Sequence, residues 1–175
     1  MRFESLGRDT PVIFLDIDGV LACDRQFFTN RRRLHSRNPE AADLGVPYLF
    51  DPGCVARLNQ LVERTGAAIV LTSDWRLRWD LAGMARVFAL NGVSRAPADA
   101  TGEEYLPGLE ECRAAEIYGY VDEHALARWV AIDDLDLAPF MRHGDGDRFF
   151  RTRNSEGLKQ LSLAGKVEAR LAKMK

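Results

Sequence analysis

Three short stretches carry side chains that could do chemistry together: Asp16 and Asp18 in FLDIDGVL, Thr72-Ser73-Asp74 in AIVLTSDWR, and Asp133-Asp134 in WVAIDDLD. Carboxylates packed side by side repel and raise one another's pKa unless a cation sits among them. A cluster offering only oxygen selects a hard ion such as Mg²⁺. An aspartate beside such an ion can attack phosphorus, because the metal offsets the repulsion between carboxylate and phosphate. Taken singly, each stretch is a weak signal. A DxD occurs in surface turns and in unrelated metal sites, and a DD is more often a solvated loop or a helix cap. DxDG is also half of a calcium loop, but Phe14 is apolar and no acid follows at EF-hand spacing.

What raises these stretches above chance is the elements that must position them. Val12-Ile13-Phe14-Leu15 reads as a buried strand, Ala67 to Leu71 as a second introduced by Gly66, and Trp129 to Ile132 as a third. Arg148 to Arg151 is a fourth, nearer an edge. Helical spacing fills the intervals at Asp51 to Thr65, Asp80 to Leu90, Glu110 to Glu123 and in the C-terminal segment. In the first of these, Asp51 suits a cap, Pro52 the first helical position, and Val55, Leu58, Leu61 and Val62 one buried face. Strands separated by helices of this length predict right-handed crossovers and a parallel sheet covered on both faces. Such sheets bind ligands at the carboxyl ends of their strands, where all three polar stretches fall.

Composition narrows the class. The 175 residues suit a single domain, residues 1–175, that buries about two-thirds of its unfolded surface. A net charge of -2 gives no global pull toward nucleic acid or membrane. No apolar run approaches a spanning helix, and the N-terminus lacks the apolar core of a signal peptide. Cys23, Cys54 and Cys112 have no CxxC spacing and no arginine six positions on, which excludes a zinc framework and a cysteine-based phosphatase loop. Reduced thiols in a cytoplasmic protein are the expectation.

The order and spacing of FLDIDGVL, AIVLTSDWR and WVAIDDLD resemble the haloacid dehalogenase (HAD) superfamily of aspartate-nucleophile phosphohydrolases, from about Pro11 to Leu171. Within it the chain is most similar to small, essentially capless HAD domains of the Swiss Army Knife RNA repair type, through LTSDWR, CRAAEI and TRNSEGL. The resemblance implies a Rossmann-like three-layer α/β domain and a Mg²⁺-dependent phosphatase. It implies Asp16 as nucleophile and Asp18 as acid and base. Mg²⁺ would be held by Asp16, the backbone carbonyl of Asp18 and one of Asp133 and Asp134, with Asp134 slightly favoured. Thr72 would bind the phosphoryl oxygens, assisted by Ser73. The family's third motif needs a fixed cation, and no lysine lies between Asp16 and Asp134, so an arginine must serve. Arg113, opening RAAEI, is the choice, with Arg76 and Arg78 competing. The bland alternative for Arg113 is an exposed helix residue paired with Glu110 or Glu116.

Larger relatives insert a cap between the first two motifs. Here residues 22–50 allow only a loop or short helix, and the stretch DRQFFTNRRRLHSRN sets five arginines against one aspartate. Arg31, Arg32 and Arg33 on such a segment, with Phe27 and Phe28 to stack, suit a phosphorylated small molecule, a nucleotide or a nucleic-acid end. A solvated helix face or a protein contact explains them equally well. Trp75 and Trp79, four apart, read as core packing rather than base stacking. HGDGD, His143 to Asp147, reads as a glycine-rich turn, and His35, His124 and His143 have no metal-ligand spacing. Two other functions fit the same residues: a phosphotransferase, and a non-catalytic binding or regulatory module.

Overall fold

The computed structural model describes residues 6–102 and 108–174. Its centre is a five-stranded sheet of β1 (Val12–Leu15), β2 (Ala68–Leu71), β3 (Asp99–Ala100), β4 (Trp129–Asp133) and β5 (Phe149–Arg151), in the order β3-β2-β1-β4-β5. Every pairing is parallel. β1, β2 and β4 are buried along their whole length, as strands covered on both faces must be, which is why they read as unbroken apolar runs.

The seven helices among the described residues are α1 (Asp24–Phe27), α2 (Arg31–Arg37), α3 (Pro39–Leu44), α4 (Pro52–Thr65), α5 (Leu81–Leu90), α6 (Leu109–Glu123) and α7 (Leu163–Lys173). Ile13 and Leu15 point into a core shared with α4, α5 and α7, while Val12 and Phe14 point into a second core formed with α6. On that side Phe14 meets Tyr120 and Trp129 edge to face, with centroids 5.7 and 5.8 Å apart.

The helix ends follow their caps. Asp51 caps α4 by accepting from the amides of Gly53 and Cys54, with Pro52 at the first helical position and Gly66 closing the helix at φ +68. Asp80 caps α5 in the same manner, so both aspartates precede their helices rather than begin them. β3 is an element the sequence did not disclose. It has two half-buried residues paired to β2, and one of them, Asp99, also accepts from the Tyr120 hydroxyl of α6 at 2.8 Å.

The insert is more ordered than a loop. It folds as α1, α2 and α3 and docks against the turn after β2. The Trp79 indole donates to the Leu44 carbonyl at 3.0 Å, and Arg31 and Arg78 both donate to the carbonyl of Gly45, the cap of α3. Cations at this end offset the helix's unpaired carbonyls.

Candidate active site

Register assembles the site. Leu15 pairs with Leu71 on one side and with Ile132 on the other. The next residues, Asp16, Thr72 and Asp133, therefore leave the sheet side by side at its carboxyl edge. The chain after Asp16 turns at once. Gly19 sits at φ +75, and a Cβ there would lie 2.2 Å from Asn154 Oδ1 and 2.7 Å from the Asp134 side chain. Only glycine fits this corner. The turn is braced from below, where the Thr152 hydroxyl donates to the Gly19 carbonyl at 2.8 Å.

Among the described residues, Asp16, Asp133 and Asp134 are the three acids that bring ligand atoms within 4.8 Å of one another. Asp16 and Asp133 are buried. Burial pushes the Asp16 carboxyl well above the carboxylate range, the Asp133 charge adds to this, and Arg113 opposes it. Asp133 is pushed up to about 6, again by burial first, with Arg113 working against the shift. Burial also raises Asp134. This is the electrostatic state of an acidic cluster short of positive charge, and its all-oxygen donors fit Mg²⁺.

One cation reaches the cluster from the chain itself. Arg113, from the first turns of α6, is only 5% exposed. Its Nη1 donates to Asp133 at 2.8 Å and to Asp16 at 3.1 Å, and Nη2 donates to Asp74 at 3.3 Å. Burial alone would weaken its charge, but Asp133, Asp16, Asp74 and Glu116 together hold it firmly protonated. The Glu116 pairing anticipated for a surface arginine is present at 3.7 Å, on a buried side chain. Arg76, its competitor, does not line the pocket, although it pairs at 3.7 Å with Asp74, which does. Its guanidinium donates to the Thr72 carbonyl and to Glu116 Oε1 at 2.7 Å, with its side chain 7% exposed. Arg76 thus braces the second motif and the base of Arg113. Arg78 lies against Trp79 and the insert.

The pocket is small, about 120 Å³, with Asp16, Asp18, Ser73, Arg113, Asp133 and Asp134 in its walls. Thr72, also buried, directly precedes Ser73 at the end of β2. Arg31, Arg32 and Arg33 do not line it. They stand exposed on α2, where Arg31 is spent on Gly45 and Arg33 borders a separate groove beside Phe28.

Three residues at the site were given no role there by the sequence. The Tyr48 hydroxyl, just past the insert's last helix, donates to Asp18 Oδ1 at 2.5 Å, and the Trp75 indole donates to Oδ2 at 3.1 Å. Both oxygens of Asp18 are thereby oriented by donors from separate elements. Burial, then the bond to Asp18, raises Tyr48 further above its ordinary range, so it stays a neutral donor. Trp75 also stacks on Trp79 at 4.9 Å, so the packing role expected of it coexists with a polar one. Asn154 is the third, and its side chain crowds the Gly19 corner together with that of Asp134. Tyr48 sits in a segment without a motif; Asn154 belongs to TRNSEGL, a stretch that carries the resemblance but whose spacing does not tie it to the aspartates.

Tyr48→Phe should lower kcat about tenfold while moving the melting temperature little, because it removes one bond to a half-buried carboxylate and no packing volume. A kcat equal to that of the parent protein would show that Trp75 alone suffices to orient Asp18.

The remaining polar features are structural. In HGDGD, Asp145 pairs with Arg148 at 2.8 Å and Asp147 with Arg170 at 2.8 Å. His35 bonds the Val46 carbonyl, and His124 bonds the Tyr120 carbonyl and stacks on its ring. Cys23 and Cys54 are buried free thiols with sulfurs 3.6 Å apart. No helix of the described residues is long and apolar enough to cross a membrane.

Comparison with known proteins gives one match. A family described as the HAD domain in Swiss Army Knife RNA repair proteins matches residues 12–163. Neither a curated protein nor a solved structure matches the chain.

Proposed function

Because the chain belongs to the HAD domains of the kind found in Swiss Army Knife RNA repair proteins, we propose that it is a Mg²⁺-dependent phosphomonoester hydrolase working through an aspartyl-phosphate. The observation that carries this reading is the arrangement around Asp16: a buried carboxylate within ligand reach of Asp133 and Asp134, bonded to Arg113, and beside an Asp18 held by two donors.

In the first step an Asp16 oxygen bonds to phosphorus as the bond to the ester oxygen breaks in line, and Asp18 delivers a proton to that leaving oxygen. In the second, Asp18 takes a proton from a water whose oxygen attacks the same phosphorus, releasing phosphate and restoring Asp16. Arg113 and the hydroxyls of Thr72 and Ser73 stabilise the phosphoryl oxygens as charge redistributes. Asp16, the Asp18 carbonyl and Asp134 would hold Mg²⁺, which would supply charge neutralisation between nucleophile and phosphate. Asp134 suits the ligand role better than Asp133, whose Oδ1 already accepts from the Leu135 amide at 3.0 Å and whose Oδ2 accepts from Arg113.

The substrate class we assign is a nucleotide or phosphorylated nucleic-acid end, in a cytoplasmic setting. A pocket too small for more than a phosphoryl group and cation, and the RNA repair context of the family, support it. A panel of phosphorylated metabolites, nucleotides and 3′- or 5′-phosphorylated oligonucleotides, assayed for phosphate release with Mg²⁺ and with excess chelator, is the test. Mg²⁺-dependent release from nucleotides or strand ends is expected. No release from any compound would leave the binding-module function instead, and transfer to an added alcohol in place of release would identify a phosphotransferase.

A further inference from the structure

The pocket around Asp16 has no room for what the phosphate is attached to. Asp134 is a wall of that pocket and also a wall of a second cleft, about 600 Å³ in volume, so the two spaces adjoin at this residue. The cleft lies between Asp24, where the insert begins, and the stretch that follows β5. The side chains lining it are all polar, among them the carboxylates of Asp24 and Asp134. Arg151 and Arg153 supply the positive charge, and Asn154 and Ser155 supply neutral hydrogen-bonding groups.

The two guanidinium groups are tethered only lightly. Arg151 pairs with Asp136 at 2.9 Å and Arg153 with Glu156 at 3.2 Å, and both arginines are more than half exposed. Exposed pairs of this kind are weak and yield to a stronger acceptor. A phosphate is such an acceptor, since arginine meets it with two parallel bonds. Arg151 is also aimed by its Nε, which donates to the Asp134 carbonyl at 3.1 Å. A cation-binding residue and an anion-binding residue are thus fixed to each other across the boundary between the two spaces.

We infer that this cleft is the leaving-group subsite, and that it takes a leaving group bearing a second phosphate, held by Arg151 and Arg153. The inference rests on the phosphatase reading and narrows its substrate to compounds with two phosphates on one sugar, or to a terminal nucleotide whose second phosphate is the first diester of a strand.

The test compares kcat/KM for a nucleoside 3′-monophosphate, a 5′-monophosphate and the 3′,5′-bisphosphate, alongside a terminally phosphorylated dinucleotide. The bisphosphate or the dinucleotide should exceed the better monophosphate by about tenfold or more, the effect of one or two charge-assisted bonds. Which of the two exceeds it distinguishes free nucleotide from strand end. In Arg151→Ala/Arg153→Ala the ratio should fall close to one. Arg153→Ala, which keeps the Arg151 bond to the Asp134 carbonyl, should lose part of it. A parent protein with no preference, or a preference that survives the double replacement, overturns the subsite while leaving the hydrolase intact. Calorimetry of the bisphosphate on Asp16→Asn with Mg²⁺ separates the two ideas when nothing is turned over. Binding that weakens on replacing the arginines supports the subsite and removes the hydrolase; binding that does not weaken overturns the subsite.

Discussion

Asp16→Asn should abolish phosphate release, by about 10⁴-fold or more, and at the same time make the metal-free protein harder to melt. Loss of activity follows from the chemistry, because an amide oxygen is not a nucleophile toward phosphorus, and removing such a group leaves only binding and electrostatics. The gain in stability follows from the cluster. The folded Asp16 carboxyl is raised well above its ordinary range, by burial first and then by Asp133. A raised carboxyl binds its proton more tightly folded than unfolded, so its contribution is greatest at low pH and declines as pH rises through the folded pKa. Asparagine has the same shape and never ionises. In chelator, the melting temperature of the variant minus that of the parent should therefore be small near pH 5 and widen toward pH 8. Added Mg²⁺ should stabilise the parent more than the variant. A variant that hydrolyses at the parent rate removes the aspartyl-phosphate, and one that melts lower than the parent at pH 8 in chelator contradicts the electrostatic account.

Arg113→Met has the opposite effect on the same balance. The guanidinium is the one chain cation bonded to both Asp16 and Asp133 among the described residues. Methionine fills much of its volume and leaves those acids without a counter-charge. Stripping one member from a buried ionic group typically costs about 3–5 kcal/mol. That cost should appear in chelator at pH 7.5. It should shrink as pH falls toward about 6, the value Asp133 has with the guanidinium in place, because without Arg113 that carboxyl takes up its proton at a higher pH still. Mg²⁺ should restore part of the lost stability, because it carries positive charge to the same carboxylates. Activity should not return with it: saturating Mg²⁺ leaves the phosphoryl oxygens short of a donor, a loss of roughly 10²–10³-fold. Arg113→Lys should recover some stability and little rate, since one ammonium cannot span Asp16, Asp133 and Asp74 as the planar fork does. Denaturation in urea with and without Mg²⁺ reads the first effect, and phosphate release reads the second. Equal stability of Arg113→Met and the parent in chelator at pH 7.5 would refute this balance of charges.

The parts visible in the sequence are those whose physics is local. Val12 to Leu15 and Ala68 to Leu71 are buried on both faces, so each is an apolar run that stops where the chain must turn polar. Asp51 and Asp80 announce helices because a cap acts on amides two or three residues away. The absence of lysine between the acidic motifs required an arginine, and the resemblance, through RAAEI just before the strand of Asp133, pointed to Arg113. What separates it from Arg76 is not local: only the fold shows that Arg76 is spent on Glu116 and the Thr72 carbonyl. The same holds for the insert. Its arginines dominate the composition and suggest a clamp, yet its contact with Asp18 is made through a tyrosine with no charge and no motif. Asn154 reaches the Gly19 corner beside Asp134 from another element altogether, and β3 pairs along the edge that β2 offers it.

The shared register of β1, β2 and β4 has a mechanical consequence. Asp16, Thr72 and Asp133 stand on neighbouring strands one rung past the same paired residues, and the amides of Asp16 and Thr72 are themselves bonded to Ile132 and Leu15. Displacing nucleophile, hydroxyl and acid relative to one another means tearing the ladder, so this half of the site behaves as an anvil of fixed shape. Whatever adjustment a substrate demands falls to the pieces that touch the anvil from outside, the Tyr48 segment on one flank and the stretch bearing Asn154 on the other.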